Sequence, residues 1–166
     1  MIEEEMMELY ALKNIIRFNN LSRITNESVA EHSFFVSLIV ARLHKTYQFN
    51  LEKALLMAIT HDIFEIWVSD IPRNIKDKYK ELDEVATKIE NNIIKEKYPE
   101  YKELLNDFNN KRTVEGLIVK LADALSVMQY TNTEIGLGNN LYMPRVKRET
   151  RKAIARLYTE LKGAQK

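Results

Sequence analysis

The sequence predicts an all-α protein, and three observations carry that reading. Glycine and proline are scarce, at 4 and 3 of 166 residues, so long stretches run without a helix breaker. Leucine, glutamate, isoleucine and lysine dominate, with alanine adding to a composition typical of helical proteins. Apolar residues recur at three- and four-residue steps through most of the chain, the period of a helix with one buried face.

The length fits one domain, 1–166, large enough to bury roughly two-thirds of its unfolded surface. Basic and acidic residues number 25 and 24, a formal net charge of +1, so no global bias points to nucleic acid or to a membrane. There is no cysteine, which excludes disulfides and thiolate metal sites. The most apolar run, residues 34–41, is far short of the ~20 residues of a membrane span. The start, MIEEEMMELY, is acidic and has no apolar core of a signal peptide, so a cytoplasmic protein is expected.

In chain order, residues 1–16 read as an amphipathic helix with Met6, Leu9, Leu12, Ile15 and Ile16 on one side. Arg17 to Leu21 leave it, and residues 23–26 form a polar loop. Ser28-Val29-Ala30-Glu31 has the form of a capping box, which starts a helix at Ser28 and puts His32 in its first turn. Asn50 is placed to cap the next helix, which the spacing of Leu51, Leu55, Ile59, Ile63, Ile66 and Trp67 predicts to run on toward Pro72. That helix carries His61, Asp62 and Glu65, and the turn after it carries Asp70. A charged helix over 77–97 shows a thin apolar face of Leu82, Val85, Ile89 and Ile93, and Pro99 ends it. A short helix is expected over 101–108 and a polar linker over 106–112. Residues 113–130 form a strongly apolar helix that contains Asp123. A loop with Gly136, Gly138, Asn139 and Asn140 follows over 131–143, and Pro144 suits the first position of a basic last helix, 144–162.

Asp62 and Asp123 stand where core residues are expected, and a buried carboxylate is costly unless something pairs with it. Two of the three histidines, His32 and His61, sit beside acids on otherwise apolar helices. Any one of these residues alone is more often a hydrogen-bonded core group than a ligand. Together they form a mixed nitrogen and oxygen donor set suited to Mn, Fe, Co, Ni, Zn or Mg, with positions left for water and a phosphate oxygen. His44 has no acidic neighbour and reads as surface. Arg73 and Lys76 closely follow Asp70, in reach of further phosphate oxygens or, equally, part of a solvated surface.

With these residues in hand, the chain resembles the HD-domain metal-dependent phosphohydrolases, whose H…HD…D pattern is matched by His32, His61-Asp62 and Asp123. The flanking text resembles the 5′-deoxynucleotidase branch of that superfamily. It comprises Arg17-Phe18, Glu27-Ser28-Val29-Ala30-Glu31-His32-Ser33, His61-Asp62-Ile63-Phe64-Glu65, Ser69-Asp70-Ile71-Pro72, Lys120-Leu121-Ala122-Asp123-Ala124-Leu125 and Gly138-Asn139-Asn140. The likeness covers about 17–140. It implies an HD-domain helical bundle in which His32, His61, Asp62 and Asp123 bind the divalent metal. It also implies that Glu65 and Asp70 handle water and protons, that Arg17 contacts the 5′-phosphate, and that Phe18 packs on the deoxyribose where the family usually has Trp. The implied substrate is a deoxynucleoside monophosphate and the implied assembly a homodimer or larger. The same architecture also serves enzymes that act on dNTPs, including dATP, which is the alternative substrate. A reading of another class, a helical nucleic-acid- or partner-binding protein, rests on the eight basic residues from Arg145 to Lys166, and global neutrality argues against nucleic acid.

Overall fold

The computed structural model describes residues 2–164, the side chains of residues 2 and 5 excepted, so Met1, Lys166 and the Glu5 carboxylate of the predicted terminal elements lie outside the described residues. The described chain is helical throughout, in the order α1 (Ile2–Tyr10), α2 (Val29–Leu43), α3 (Leu51–Thr60), α4 (Glu65–Val68), α5 (Arg73–Lys78), α6 (Lys80–Lys97), α7 (Lys102–Asn110), α8 (Val114–Gly136) and α9 (Met143–Ala164). None of these helices is long and apolar enough to cross a membrane.

The expected helix starts at 28, 50 and 113 are present and each has a visible cause. The Ser28 hydroxyl accepts the Glu31 N–H while the Glu31 carboxylate accepts the Ser28 N–H, which is a complete capping box on α2. The side chains of Asn50 and Thr113 cap α3 and α8 by accepting from Lys53 N–H and Gly116 N–H. At Gly116 an added Cβ would come to 2.7 Å from the Asp107 carbonyl oxygen, so only glycine lets α7 lie this close to α8.

The core is built from α2, α3 and α8, with α9 laid along α8. Val36, Val40, Met57, Ala58, Ile118 and Leu121 are buried together with Leu157 and Leu161 of α9. A smaller cluster of Ile63, Ile94, Tyr98 and Leu105 joins α6 and α7 to the turn after α3.

Five element readings are corrected. The first helix ends at Tyr10, a 3₁₀ turn over Ala11–Asn14 follows, and Ile16 then pairs antiparallel with Ser28. The second is the helix from Leu51, which stops at Thr60: residues 61–64 tighten into a turn whose Ile63 and Glu65 N–H groups donate three residues back, and α4 resumes out of phase. Ile59 is consequently 56 % exposed, and Ala54, Met57 and Ala58 line the buried face instead. Third, the helix over 77–97 is two, α5 and α6, and Leu82, Val85 and Ile89 of its thin apolar face are exposed while Ala86 and Ile94 are buried. Fourth, α7 runs through Asn110 into the predicted linker and ends on Lys111 in the left-handed conformation. Last, α8 continues to Gly136 through residues predicted as loop, because the Thr131 and Thr133 hydroxyls donate to carbonyls of the preceding turn and the Glu134 carboxylate is fully engaged elsewhere.

Candidate active site

The tightened turn after α3 aims the site. His61 is the C-cap residue of α3, and its Nδ1–H donates to the Ala58 carbonyl at 2.8 Å, which turns Nε2 away from the backbone. His32 enters from the first turn of α2 with Nδ1 3.2 Å from the Ser126 hydroxyl, which turns its Nε2 toward the same point. Asp123 comes from the middle of α8, three residues before Ser126. His32, His61 and Asp123 each offer a ligand atom within 4.8 Å of the others. His32 Nε2 lies 3.2 Å from Asp123 Oδ1 and His61 Nε2 3.1 Å from Asp62 Oδ2, yet both Nε2 atoms are buried without a hydrogen bond. Donors that crowd together in this way, with their outer nitrogens fixed by hydrogen bonds, suit a divalent cation.

Charge around the point is ordered. Burial pulls His32 down to about 4, so it is neutral near pH 7. Burial also pulls on His61, but Asp62 and Asp123 outweigh it and hold that ring above its usual range. Burial raises Asp62 and Asp123, but the imidazoles and Arg17 prevail, keeping Asp123 at about 2 and Asp62 far below the usual carboxylate range. Glu65, on α4, is buried beside Asp62 and Asp70, and both effects push it well above the usual carboxylate range. Asp70 is also raised by burial, against Arg17 and its own hydrogen bond from Phe18.

Arg17 is delivered by a short antiparallel contact. Its N–H donates to the Glu27 carbonyl at 2.9 Å, and Val29 N–H donates to the Ile15 carbonyl at 2.9 Å, so residues 17–27 form a closed loop at the base of α2. The guanidinium donates to Asp62 at 3.2 Å and lies 3.3 Å from Glu27. The next residue, Phe18, has φ 54 and stacks flat on Tyr130 of α8, with ring centroids 5.1 Å apart and an interplanar angle of 1°. Arg73 and Lys76, expected near phosphates, are each paired with acids: Arg73 with Asp77 on the surface, Lys76 with Glu90 of α6.

Four residues around the site carry no role in the sequence reading. Glu27, pushed up to about 7 by burial, faces both Arg17 and His32, and its sequence signal is its place at the head of the segment 27–33 that carries the family likeness. Lys120, on α8 one turn before Asp123, is half-buried with its Nζ 3.5 Å from the centre of the Phe108 ring, and desolvation lowers its pKa. Tyr130 supports Phe18 and donates its hydroxyl to the Thr25 carbonyl. Glu134 is a buried clasp that accepts Ile24 N–H, Thr25 N–H and the Thr25 hydroxyl, and also the side chain of Asn139, which in turn donates to the Ser22 carbonyl. The Gly138-Asn139-Asn140 segment thus holds the Arg17 loop closed.

The chain matches the HD domain family over residues 9–162. It is 30 % identical over 149 residues to a 5′-deoxynucleotidase of Erwinia tasmaniensis, spanning 81 % of this chain and 75 % of that protein. Its fold is similar to that of the PH0347 protein of Pyrococcus horikoshii, with a TM-score of 0.81 at 25 % identity over 99 % of this chain and 98 % of that one. It is also similar to an HD-domain phosphohydrolase of Listeria innocua, with a TM-score of 0.80 at 26 % identity over 96 % and 82 % of the two chains. Family match, helical bundle and the order of His32, His61-Asp62 and Asp123 agree: the chain is a hydrolase of the HD-domain phosphohydrolase family and belongs to its 5′-deoxynucleotidase branch.

Proposed function

We propose that this enzyme removes the 5′-phosphate from deoxynucleoside monophosphates, releasing the deoxynucleoside and inorganic phosphate, with a divalent ion held by His32, His61, Asp62 and Asp123. The observation that carries the reading is the pair of buried Nε2 atoms facing carboxylates at 3.1–3.2 Å without a hydrogen bond. When bound, the ion supplies Lewis-acid polarisation of the phosphate and a lowered pKa for water.

The remaining work falls to side chains of the chain itself. Arg17 binds phosphate oxygens, exchanging its contact with Asp62 for the substrate, and Glu27 keeps the guanidinium oriented meanwhile. Glu65, whose burial beside Asp62 and Asp70 favours its protonated form, donates a proton to the departing 5′ oxygen. Asp70, tethered at one oxygen by Phe18 N–H, orients the attacking water with the other. Phe18, backed by Tyr130, offers an apolar surface to the sugar carbon that bears hydrogen in deoxyribose and hydroxyl in ribose. The pairing of Arg73 and Lys76 with acids supports a monophosphate, since the cations nearest Asp70 are already engaged.

The test is a phosphate-release screen of dNMPs, NMPs and dNTPs with Co, Mn, Mg or Zn. The expected result is inorganic phosphate from dNMPs. Release of tripolyphosphate or pyrophosphate from dNTPs, with no activity on dNMPs, moves the assignment to a dNTP phosphohydrolase using the same residues.

A further inference from the structure

Two cations follow Asp70, and the fold holds them differently. Arg73 meets Asp77 at 3.0 Å with side chains 76 and 55 % exposed, so water screens the pair. Lys76, one turn further along α5, donates to Glu90 of α6 at 2.7 Å, and only 16 and 12 % of these two side chains is exposed. A pair drawn this far out of water keeps hold of both partners, because freeing either leaves a charge that neither solvent nor protein compensates.

The acids of the site respond to Lys76. Burial raises Glu65 and Asp70, and the Lys76 ammonium opposes that rise at both. Asp62, Glu65 and Asp70 thus stand against two cations, Arg17 and Lys76, of which the second is shared with Glu90. A monophosphate draws on Arg17 and the divalent ion alone. Every further phosphate adds negative charge next to these carboxylates, and the ammonium best placed to offset it is committed to Glu90.

We propose that Glu90 is a positioning residue that sets the length of the phosphate chain: by holding Lys76 it withholds the cation that a second or third phosphate requires. The proposal rests on the monophosphate reading above and adds the residue that enforces it, 14 places from Lys76 and on another helix. Glu90 acts through Lys76 and not on the substrate. It excludes the longer nucleotide by leaving its charge unmet, with no steric clash needed.

The test is competition against a fluorescent deoxynucleotide on the metal-loaded chain, which reads the affinities for a dNMP and the dNTP of the same base without relying on turnover. Glu90→Gln keeps the size of the side chain and an oxygen for the ammonium but removes the charge. It is expected to tighten dNTP binding about tenfold or more while leaving dNMP binding unchanged. Glu90→Asp, shorter but still charged, is expected to stay close to the unaltered chain. Adding Lys76→Gln to Glu90→Gln is expected to abolish the gain, which a loosened contact between α5 and α6 would not do. Lys76→Gln alone is expected to leave the ratio of dNTP to dNMP affinity where it stands, because its ammonium is already withheld. A ratio unmoved by Glu90→Gln, a gain that survives the loss of Lys76, or a ratio that falls in Lys76→Gln alone overturns the proposal. If dNMPs yield no phosphate with the unaltered chain, the substrate reading fails and this proposal with it. If dNMPs turn over and the ratio does not move, only this proposal fails.

Discussion

Asp70 and Phe18, 52 residues apart in sequence, are joined by a hydrogen bond of 2.9 Å from the Phe18 N–H to the Asp70 carboxylate. Both ends of this bond use unusual backbone. Phe18 has φ 54 and Ser69, the residue before Asp70, has φ 63, a region that side-chain-bearing residues rarely adopt. Asn19 adds a second tie by donating to the Asp70 carbonyl at 3.1 Å. The acid assigned to the attacking water therefore also sets the position of the residues assigned to the phosphate and the sugar.

That double duty separates two substitutions. Asn at position 70 keeps an oxygen to accept the Phe18 N–H but loses the charge that orients water, so Asp70→Asn is expected to lower kcat roughly 10²-fold with little change in KM. Ala removes both, so Asp70→Ala is expected to lower kcat as much and to raise KM as well. Steady-state kinetics on a dNMP checks this. Normal turnover in Asp70→Asn would show that the acid only holds the loop.

Glu65 and Asp123 should separate chemistry from metal retention. Glu65 is not among the three converging donors and owes its raised pKa to burial beside Asp62 and Asp70. Glu65→Ala is expected to keep its metal and lose roughly 10²-fold or more in turnover. Asp123→Ala is expected to lose the metal itself, since its carboxylate is one of the three converging donors. Metal content after dialysis, measured by atomic emission, distinguishes the two variants.

How far the sequence discloses this arrangement depends on what each residue interacts with. Caps are local, so Ser28, Asn50 and Thr113 are readable from a few neighbours and stand as helix starts in the structure. His32 and Asp123 are readable because an imidazole or carboxylate inside an apolar helix is locally anomalous, whereas His61 and Asp62, expected within a helix, stand in the turn that follows α3. The phase of α3 is not readable. Its sequence, LEKALLMAIT, is apolar almost all round, so period alone cannot select Ala54 and Met57 over Leu55 and Ile59. The C-terminal end of α8 reads as loop because its Thr and Glu residues favour loops unless their polar groups are satisfied, and the partners that satisfy Glu134 lie about 110 residues away. Tyr130 escaped for the same reason, as its role exists only once the loop after Arg17 folds back onto α8.

The Glu134 clasp predicts how the fold responds to acid. Burial raises its pKa, but the hydrogen bonds from Thr25, Asn139 and Ile24 prevail and hold it at about 2, against 4.5 for a free glutamate. A carboxyl depressed in the folded state binds its proton more readily when unfolded. Its contribution to stability is full above about pH 4.5 and disappears as pH falls toward 2. Urea unfolding between pH 6 and pH 2.5 is expected to show a steeper acid loss for the unaltered chain than for Glu134→Gln. At neutral pH, Glu134→Ala is expected to cost about 1–3 kcal/mol, because the part-buried Ile24 and Thr25 N–H groups lose their acceptor.

Sugar selection should depend on Tyr130 as much as on Phe18. An aromatic ring against C2′ gives a 2′-hydroxyl no partner, and burying that hydroxyl unpaired costs ~1–3 kcal/mol, roughly a 5- to 150-fold preference for deoxyribose. Phe18 is smaller than the tryptophan usual in the family and has no N–H, so the lower end of that range is expected. Its ring keeps its place by stacking flat on Tyr130, whose own hydroxyl is tied to Thr25. Phe18→Ala is expected to narrow the ratio of kcat/KM between a dNMP and the matching NMP by removing the surface. Tyr130→Leu is expected to narrow it nearly as far, because the Phe18 ring loses its support. Tyr130→Phe keeps the stack and loses only the hydrogen bond, so it should leave the ratio almost unchanged while lowering stability by about 1 kcal/mol. A ratio unmoved by Tyr130→Leu would show that Phe18 holds its position without the stack.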